Sequence, residues 1–313
     1  MILVTGSSGY VASDLIPRLT PIASVCGIDN KPSKNTDILV GIESSSLKAT
    51  LEELKLDNLT IVNLAAARLD FGSSAKQYFE ANVTCHEKFL DTLNDFKIKK
   101  FIHISSVASL VGRDISYSES LECDDAYRTT KFLQERLVEN WCQKNDVELV
   151  ILYPSAIFSD DARSDTNIGR MQTLTRYLPF VPNIEANKSI TYLPSFSLFI
   201  CDFVRGKLGR GKYLTIEKPV LAVSEMIQIL SGRSLPIFRV PGLKGLLRIF
   251  ANILFVIGGF GRIDMKLTRN RVEKLFSDTS FDNLNDDEVD LLVYTNSSDR
   301  SSDEILRKIK IEN

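Results

Sequence analysis

The sequence predicts a doubly wound parallel α/β sheet with a smaller C-terminal lobe, and three observations carry that prediction. Short, almost wholly apolar runs alternate with longer stretches of helical period through the first 150 residues. The first run ends in a glycine-rich turn that opens a helix. After Pro154 the alternation loosens, and Pro179, Pro182, Pro194, Pro219, Pro236 and Pro241 break the chain into short mixed elements. With 313 residues, 44% of them hydrophobic, the chain suits one large domain or two interlocked ones. The expected division is a sheet domain over 1–160 and a lobe over 161–313, some of whose segments return to the main sheet.

"MILVT" (1–5) is the first strand candidate, followed by "SVCGI" (24–28), "TIVNL" (60–64), "KFIHI" (100–104) and "ELVILY" (148–153). Their apolar residues run on rather than alternate, as in parallel strands covered on both faces. Between them, "GYVASDLIPRL", "SSAKQYFEANVTCHEKFLDTLNDF" and "DDAYRTTKFLQERLVENWCQKN" carry apolar residues at helical spacing. In the last of these, Leu133, Leu137 and Trp141 fall on one stripe. Further on, "VSEMIQIL" (223–230) and the 243–257 segment read as helices, and the polar tail is expected to close with a short helix over 302–310.

The charge balance is 38 basic against 40 acidic residues, a net of -2, which lacks the basic surface that nucleic-acid binding needs. Five cysteines (Cys26, Cys85, Cys123, Cys142, Cys201) are scattered and odd in number, with no CxxC. That usage points to a reduced, cytoplasmic protein rather than a disulfide framework. His86 and His103 are the only histidines and neither has a ligand partner at useful spacing, so no metal site is expected. Met1 runs directly into "ILVTG", so no secretory signal is expected. The most apolar run, "IFANILFVIGGFG" (249–261), is shorter than the roughly 20 residues of a membrane-spanning helix. Lys244 and Arg248 just before it suit a helix lying at a membrane surface. A helix covering a pocket or an interface is the simpler expectation.

The first strand leads into "VTGSSGYVA", with Gly6, Gly9 and Ala12 three residues apart. Gly6 allows a tight turn out of the strand, and Gly9 lets the backbone approach a pyrophosphate at the positive end of the helix. Ala12 is small enough for the helix to lie close on the sheet. The second strand runs into Asp29, whose carboxylate can accept hydrogen bonds from ribose hydroxyls. Its charge would repel a 2′-phosphate, which favours NAD over NADP, although Lys31 two residues on softens that repulsion. In "DAYRTTKF" (125–132), Tyr127 and Lys131 stand four residues apart and so share one helix face.

"TGSSGYVA", "NLAAA", "YFEANVT", "FIHISSVAS", "YRTTK" and "LYPSAIF" occur in the order seen in the extended short-chain dehydrogenase/reductases. More narrowly, the chain resembles the NAD-dependent epimerase/dehydratase group that acts on nucleotide sugars, well over roughly residues 1–160 and loosely beyond. The resemblance implies a Rossmann-type fold, NAD as cofactor and a nucleotide-sugar substrate. It implies Tyr127 as the catalytic tyrosine, Lys131 as its lysine partner and Ser106 as the serine that hydrogen-bonds the reacting oxygen. Ser105 and Ser109 remain alternatives, and counting back from Gly112 lands on Val107. The implied cofactor set is Gly6, Ser8, Gly9, Tyr10, Val11, Asp29, Asn30, Leu64, Ala65, Ala66, Asn82, Lys131, Pro154 and Ile157. A homodimer through the 74–95 and 126–144 segments is implied in the same way.

The chemistry agrees. A free phenol has a pKa of about 10, and a neighbouring ammonium favours the phenolate. Tyr127 can then take a proton from a substrate hydroxyl, or return one to an alkoxide, while Ser106 donates to the same oxygen. "VAS" follows the serine where nucleotide-sugar 4,6-dehydratases carry an acid pair, which disfavours a dehydratase. Near the adenine no acid is clear; Asp37 and Glu43 are the nearest. A 4-epimerase and a 4-keto-sugar reductase are both left open, with Arg170, Arg176 and Arg205 as diphosphate candidates. The competing readings are a dehydrogenase of an apolar alcohol or ketone, of the hydroxysteroid-dehydrogenase kind and using 246–261, and a non-catalytic dinucleotide sensor. The Tyr127–Lys131 pair argues against the sensor.

Overall fold

Strands form where the apolar runs predict them. The structure is a computed structural model that describes residues 1–54, 58–67, 74–110, 126–161, 166–257, 269–281 and 291–295, the last by backbone alone. Gly112, Cys123 and the expected 302–310 helix lie outside these residues. In chain order the main sheet holds β1 (Ile2–Thr5), β2 (Val25–Asp29), β3 (Ile38–Leu39), β4 (Leu59–Asn63), β5 (Ile98–Ile104), β6 (Glu148–Pro154) and the Gly211–Ile216 strand. These seven pair in parallel in the order 211–216, β6, β5, β4, β1, β2, β3, with Leu291–Thr295 at the edge beside 211–216. The order reverses between β1 and β4, and the crevice outside the carboxyl ends of such strands is where ligands bind in open α/β sheets.

Two compact units are distinguished: residues 1–155, 193–215 and 290–294 in the first, the rest in the second. In the first unit, α1 (Tyr10–Leu19) lies against the Leu193–Val204 helix. One face of the sheet packs against α2 (Ser46–Glu53), the Cys85–Leu93 helix and the Ala126–Lys144 helix. Leu3, Ile28, Leu47, Leu51, Ile61, Phe89, Phe101 and Val138 form that core, all fully buried. Lys100 is nearly buried, and its Nζ donates to the Phe203 carbonyl at 2.9 Å while pairing with Glu148 at 3.1 Å. Among the described residues the second unit shows two small cores. Phe158, Ile168, Ile190, Leu221, Met226 and Leu230 form one, and Val181, Ile184, Val223 and Ile227 the other.

Three features differ from expectation. β3 and α2 were not anticipated, because two residues, or two buried leucines four apart, give too little periodicity to register. The helix expected over 73–96 is interrupted: α3 (Ala75–Phe79) runs into a π-helical turn at Glu80–Thr84 before the Cys85–Leu93 helix. The buried face of the Ala126–Lys144 helix includes Trp141 of the 133/137/141 stripe, with Leu137 packed against the same core, but adds polar residues that the stripe does not show. Thr130, Lys131, Gln134, Glu135, Val138, Trp141 and Cys142 face inward, while Leu133 and Leu137 are half-buried. Thr130, Lys131, Gln134 and Glu135 are tolerated there because each finds hydrogen-bond partners, whereas the hydroxyl of buried Thr129 has none among the described residues.

Candidate active site

The glycine turn is built by backbone conformation. Gly6 has φ +69, and a Cβ there would stand 2.9 Å from the Ala65 nitrogen, so the β1 and β4 loops touch through the missing side chain. Gly9 donates to the Gly6 carbonyl at 3.0 Å and caps α1. Among the described residues no side chain caps α1, and no acidic residue sits in its first turn. Its positive end therefore offers backbone amides with no capping carboxylate competing for them. A pyrophosphate fits that cradle, and a Cβ at either glycine would intrude on the turn. Ser8 and Lys31 amides donate to the two Asp29 oxygens at 3.0 and 2.9 Å, which fixes the carboxylate beside the turn with Asn30 exposed next to it. Asp37, by contrast, accepts from the Gly27 amide at 2.8 Å and belongs to the β2–β3 link.

Beyond β4, Leu64 and Ala65 are half-buried and Ala66 is exposed. Thr5 Oγ1 donates to Asn63 Oδ1 at 2.6 Å and accepts from the Ala65 amide at 3.2 Å. Asn82 is fully buried on the π-helical turn, where it holds the loop after β4 from both sides. Its Oδ1 accepts from the Ala67 amide at 2.7 Å, while its Nδ2 donates to the Ala67 carbonyl and to Thr130 Oγ1, each at 3.1 Å. Pro154 ends β6 in the first unit; Ile157, half-buried, belongs to the second unit and pairs with Thr191.

Lys131 is 2% exposed. Its Nζ donates to the Ile104 carbonyl at 2.8 Å and to Gln134 Oε1 at 2.6 Å. Burial pushes its pKa down to about 7, against the pull of the Glu135 carboxylate. Gln134 Nε2 donates in turn to the Ala65 carbonyl at 3.1 Å and to His86 Nε2 at 2.5 Å. With Nε2 accepting, the His86 proton lies on Nδ1, which donates to the Ala81 carbonyl at 3.3 Å. Burial and the Lys131 charge push His86 down to about 3, so it stays neutral. Tyr127 stands one turn before Lys131, half-buried, edge-on to Tyr78 with ring centroids 6.3 Å apart.

The three candidate serines differ in what they do. Ser105 and Ser109 hydroxyls lie 3.0 and 3.1 Å from Glu135 Oε2, and Tyr153 donates to Glu135 Oε1. Glu135 is 1% exposed, and Lys212 adds a cation 3.6 Å from it. Among the described residues Ser106 Oγ only accepts, from the Ala108 amide at 3.2 Å, which leaves its hydroxyl proton to donate. Glu135, Gln134, His86, Asn63 and Thr5 had not been singled out for the site. Spacings of three and four from Lys131 were the available signal for Gln134 and Glu135. Arg205 pairs with Asp202 at 3.6 Å at the surface end of the 193–204 helix. Arg170, half-buried, and Arg176, exposed, belong to the second unit.

The sequence profile described as NAD dependent epimerase/dehydratase family matches residues 2–194. An N-acetyl-alpha-D-glucosaminyl-diphospho-ditrans,octacis-undecaprenol 4-epimerase of Escherichia coli O157:H7 is 24% identical over 294 residues, 90% of this chain and 87% of that protein. A UDP-glucose 4-epimerase of Vibrio cholerae is 22% identical over 246 residues, 74% of each chain. Among solved structures, the UDP-glucuronic acid 4-epimerase of Bacillus cereus with NAD superposes with a TM-score of 0.60 at 20% identity, covering 76% of this chain and 85% of its own. The UDP-glucose 4-epimerase of Thermus thermophilus with NAD gives 0.58 at 13% identity, covering 88% and 98%.

Proposed function

The chain belongs to the NAD dependent epimerase/dehydratase family, and from that premise we propose that it is a 4-epimerase of a nucleotide sugar with Tyr127 as its acid and base. The observation that carries this reading is the buried Lys131 one turn after Tyr127 on the same helix, in the unit that also holds the glycine turn and Ser106. NAD, the cofactor of the family, supplies a hydride acceptor that also returns the hydride. Gly6, Ser8, Gly9, Tyr10 and Val11 would hold its pyrophosphate, Asp29 and Asn30 a ribose, and Leu64, Ala65, Ala66 and Pro154 its flanks, all within the first unit. Asn82 shapes this wall through Ala67. The Asp29 carboxylate, held by two amides, favours NAD over NADP. Tyr127 takes the proton of the C4 hydroxyl and gives it back to the C4 oxygen, Lys131 in its ammonium form favours the phenolate, and Ser106 donates to the oxygen as charge develops. We place the activity in the cytoplasm, where free thiols at Cys26, Cys85, Cys142 and Cys201 persist. A homodimer through the segments around Ala75–Leu93 and Ala126–Lys144 is part of this reading, supported by the half-buried Leu133 and Leu137. Light scattering that gives a single 35.1 kDa species contradicts it.

The test is proton NMR of UDP-glucose, UDP-N-acetylglucosamine and UDP-glucuronic acid incubated separately with protein and NAD, reading appearance of the C4 epimer. Tyr127→Phe should lower kcat by about 10²-fold or more while NAD binding stays unchanged. Wild-type turnover in that variant would remove Tyr127 from its role. A second reading places the sugar on a polyprenyl diphosphate. It is favoured by the match over 90% of this chain to the undecaprenol-linked 4-epimerase. Conversion of a short-chain polyprenyl-diphospho-N-acetylglucosamine, with none of the nucleotide sugars, would select it.

A further inference from the structure

The Leu243–Ile257 helix has its faces reversed relative to an ordinary surface helix. Its inner side meets the Arg269–Phe276 helix: Ala251 and Val272 are buried, and Glu273 pairs with both Lys244 (3.0 Å) and Arg248. Its outer side carries Leu246, Ile249, Phe250, Ile253, Val256 and Ile257, each 48–65% exposed. At 100° per residue these six fall within about a third of the helix circumference, one continuous stripe. A stripe of this kind on the solvent side of an amphipathic helix marks a surface that is covered in use.

Charge decides what covers it. Residues 233–274 hold nine Lys and Arg against two Asp and Glu, a net of +7, in a chain whose net charge is -2. A two-fold contact between copies through this stripe would set the same positive segment against itself, which is unfavourable. A nucleotide or other small anion meets the charge and leaves the stripe in water. An anionic lipid surface meets both, with acyl chains against the stripe and headgroups against exposed cations such as Arg239 and Arg269. Exposed Ile237 and Phe238, next to the exposed Arg239, extend the same combination.

We propose that the Leu243–Ile257 helix docks this protein on the surface of an anionic membrane, lying in the interface without crossing it. No helix among the described residues is long and apolar enough to span a bilayer. The docking surface is independent of which sugar is turned over, and none of its residues belongs to the Tyr127 site.

The test is co-sedimentation of the full chain with vesicles of phosphatidylglycerol and phosphatidylcholine in equal parts, beside vesicles of phosphatidylcholine alone. The expected result is binding to the anionic vesicles that falls as salt rises, with weak binding to the neutral ones. Ile249→Glu with Ile253→Glu, both at exposed positions, should weaken that binding about tenfold or more. Arg239→Glu with Arg269→Glu should weaken it without touching the stripe. Both variants should keep the wild-type melting curve and NAD affinity. Absence of anionic-vesicle binding by the wild type overturns the proposal, as does equal binding to neutral vesicles. A stripe variant that binds as well as wild type also overturns it. So does a stripe variant that splits a larger species into monomers while vesicles bind neither form, because the stripe would then be a contact between copies.

Discussion

Lys131 illustrates how strongly one side chain depends on where the fold puts it. An amine with a pKa near 10.5 in the unfolded chain and about 7 when buried keeps its proton in the unfolded state, but not the folded one, between those values. The unfolded state then binds more protons, so the contribution of this group to stability rises with pH from about 7 to 10.5 and is lowest below that range. Thermal unfolding without cofactor should therefore show a steeper gain between about pH 7 and about pH 9 in the wild type than in Lys131→Met. Equal slopes would show that Lys131 keeps its proton when folded. Gln134 joins Lys131 to His86 and the Ala65 carbonyl, so Gln134→Met leaves three buried groups short of a partner. A loss of roughly 1–3 kcal/mol in urea unfolding is expected, and an unchanged midpoint would show that the chain relaxes around the change. The four-residue spacing of Tyr127 and Lys131 was legible in the sequence. Gln134, Glu135 and His86 were not, because polar residues on a helix read as its solvent face until the strands beneath them supply partners.

The glycine turn and the π-helical turn make the same point for elements. Gly6 sits at φ +69 with its missing Cβ against the β4 loop. Gly6→Ala therefore adds left-handed strain and a backbone clash, costing roughly 1–3 kcal/mol of stability. The loss should appear in the denaturant midpoint, together with weakened NAD binding by calorimetry; normal NAD binding by the Gly6→Ala variant would separate the turn from the cofactor. The turn itself was readable, since glycine spacing after a strand and before a helix has few other uses. The π-helical turn was not, because nothing in "EANVT" distinguishes a widened turn from an ordinary one. The structure gives the reason for it: the turn holds Asn82 on both backbone groups of Ala67. The five strands were legible through their unbroken apolar character, whereas the two-residue strand at Ile38–Leu39 is defined by pairing with β2 and so has no signature of its own.

At the scale of the molecule, NAD binding and stability are linked. A ligand at about 100 times its Kd that binds only the folded state adds about 2.7 kcal/mol, which raises the melting temperature by roughly 5 °C in a chain of this size. Addition of NAD should show that shift and NADP a smaller one; equal shifts would contradict the role given to Asp29. The family was legible as well, because six motifs in order over the first half are far more specific than any one of them. The second half was not, since its short paired segments and two small cores leave proline punctuation in place of period. The +7 segment has a consequence at the bench. Chromatographers choose a resin by isoelectric point, here about 5.9, and at neutral pH would load an anion exchanger. A molecule with this charge asymmetry should be held by cation-exchange resin too, above its isoelectric point, and retention by the anion exchanger alone would contradict a concentrated positive surface.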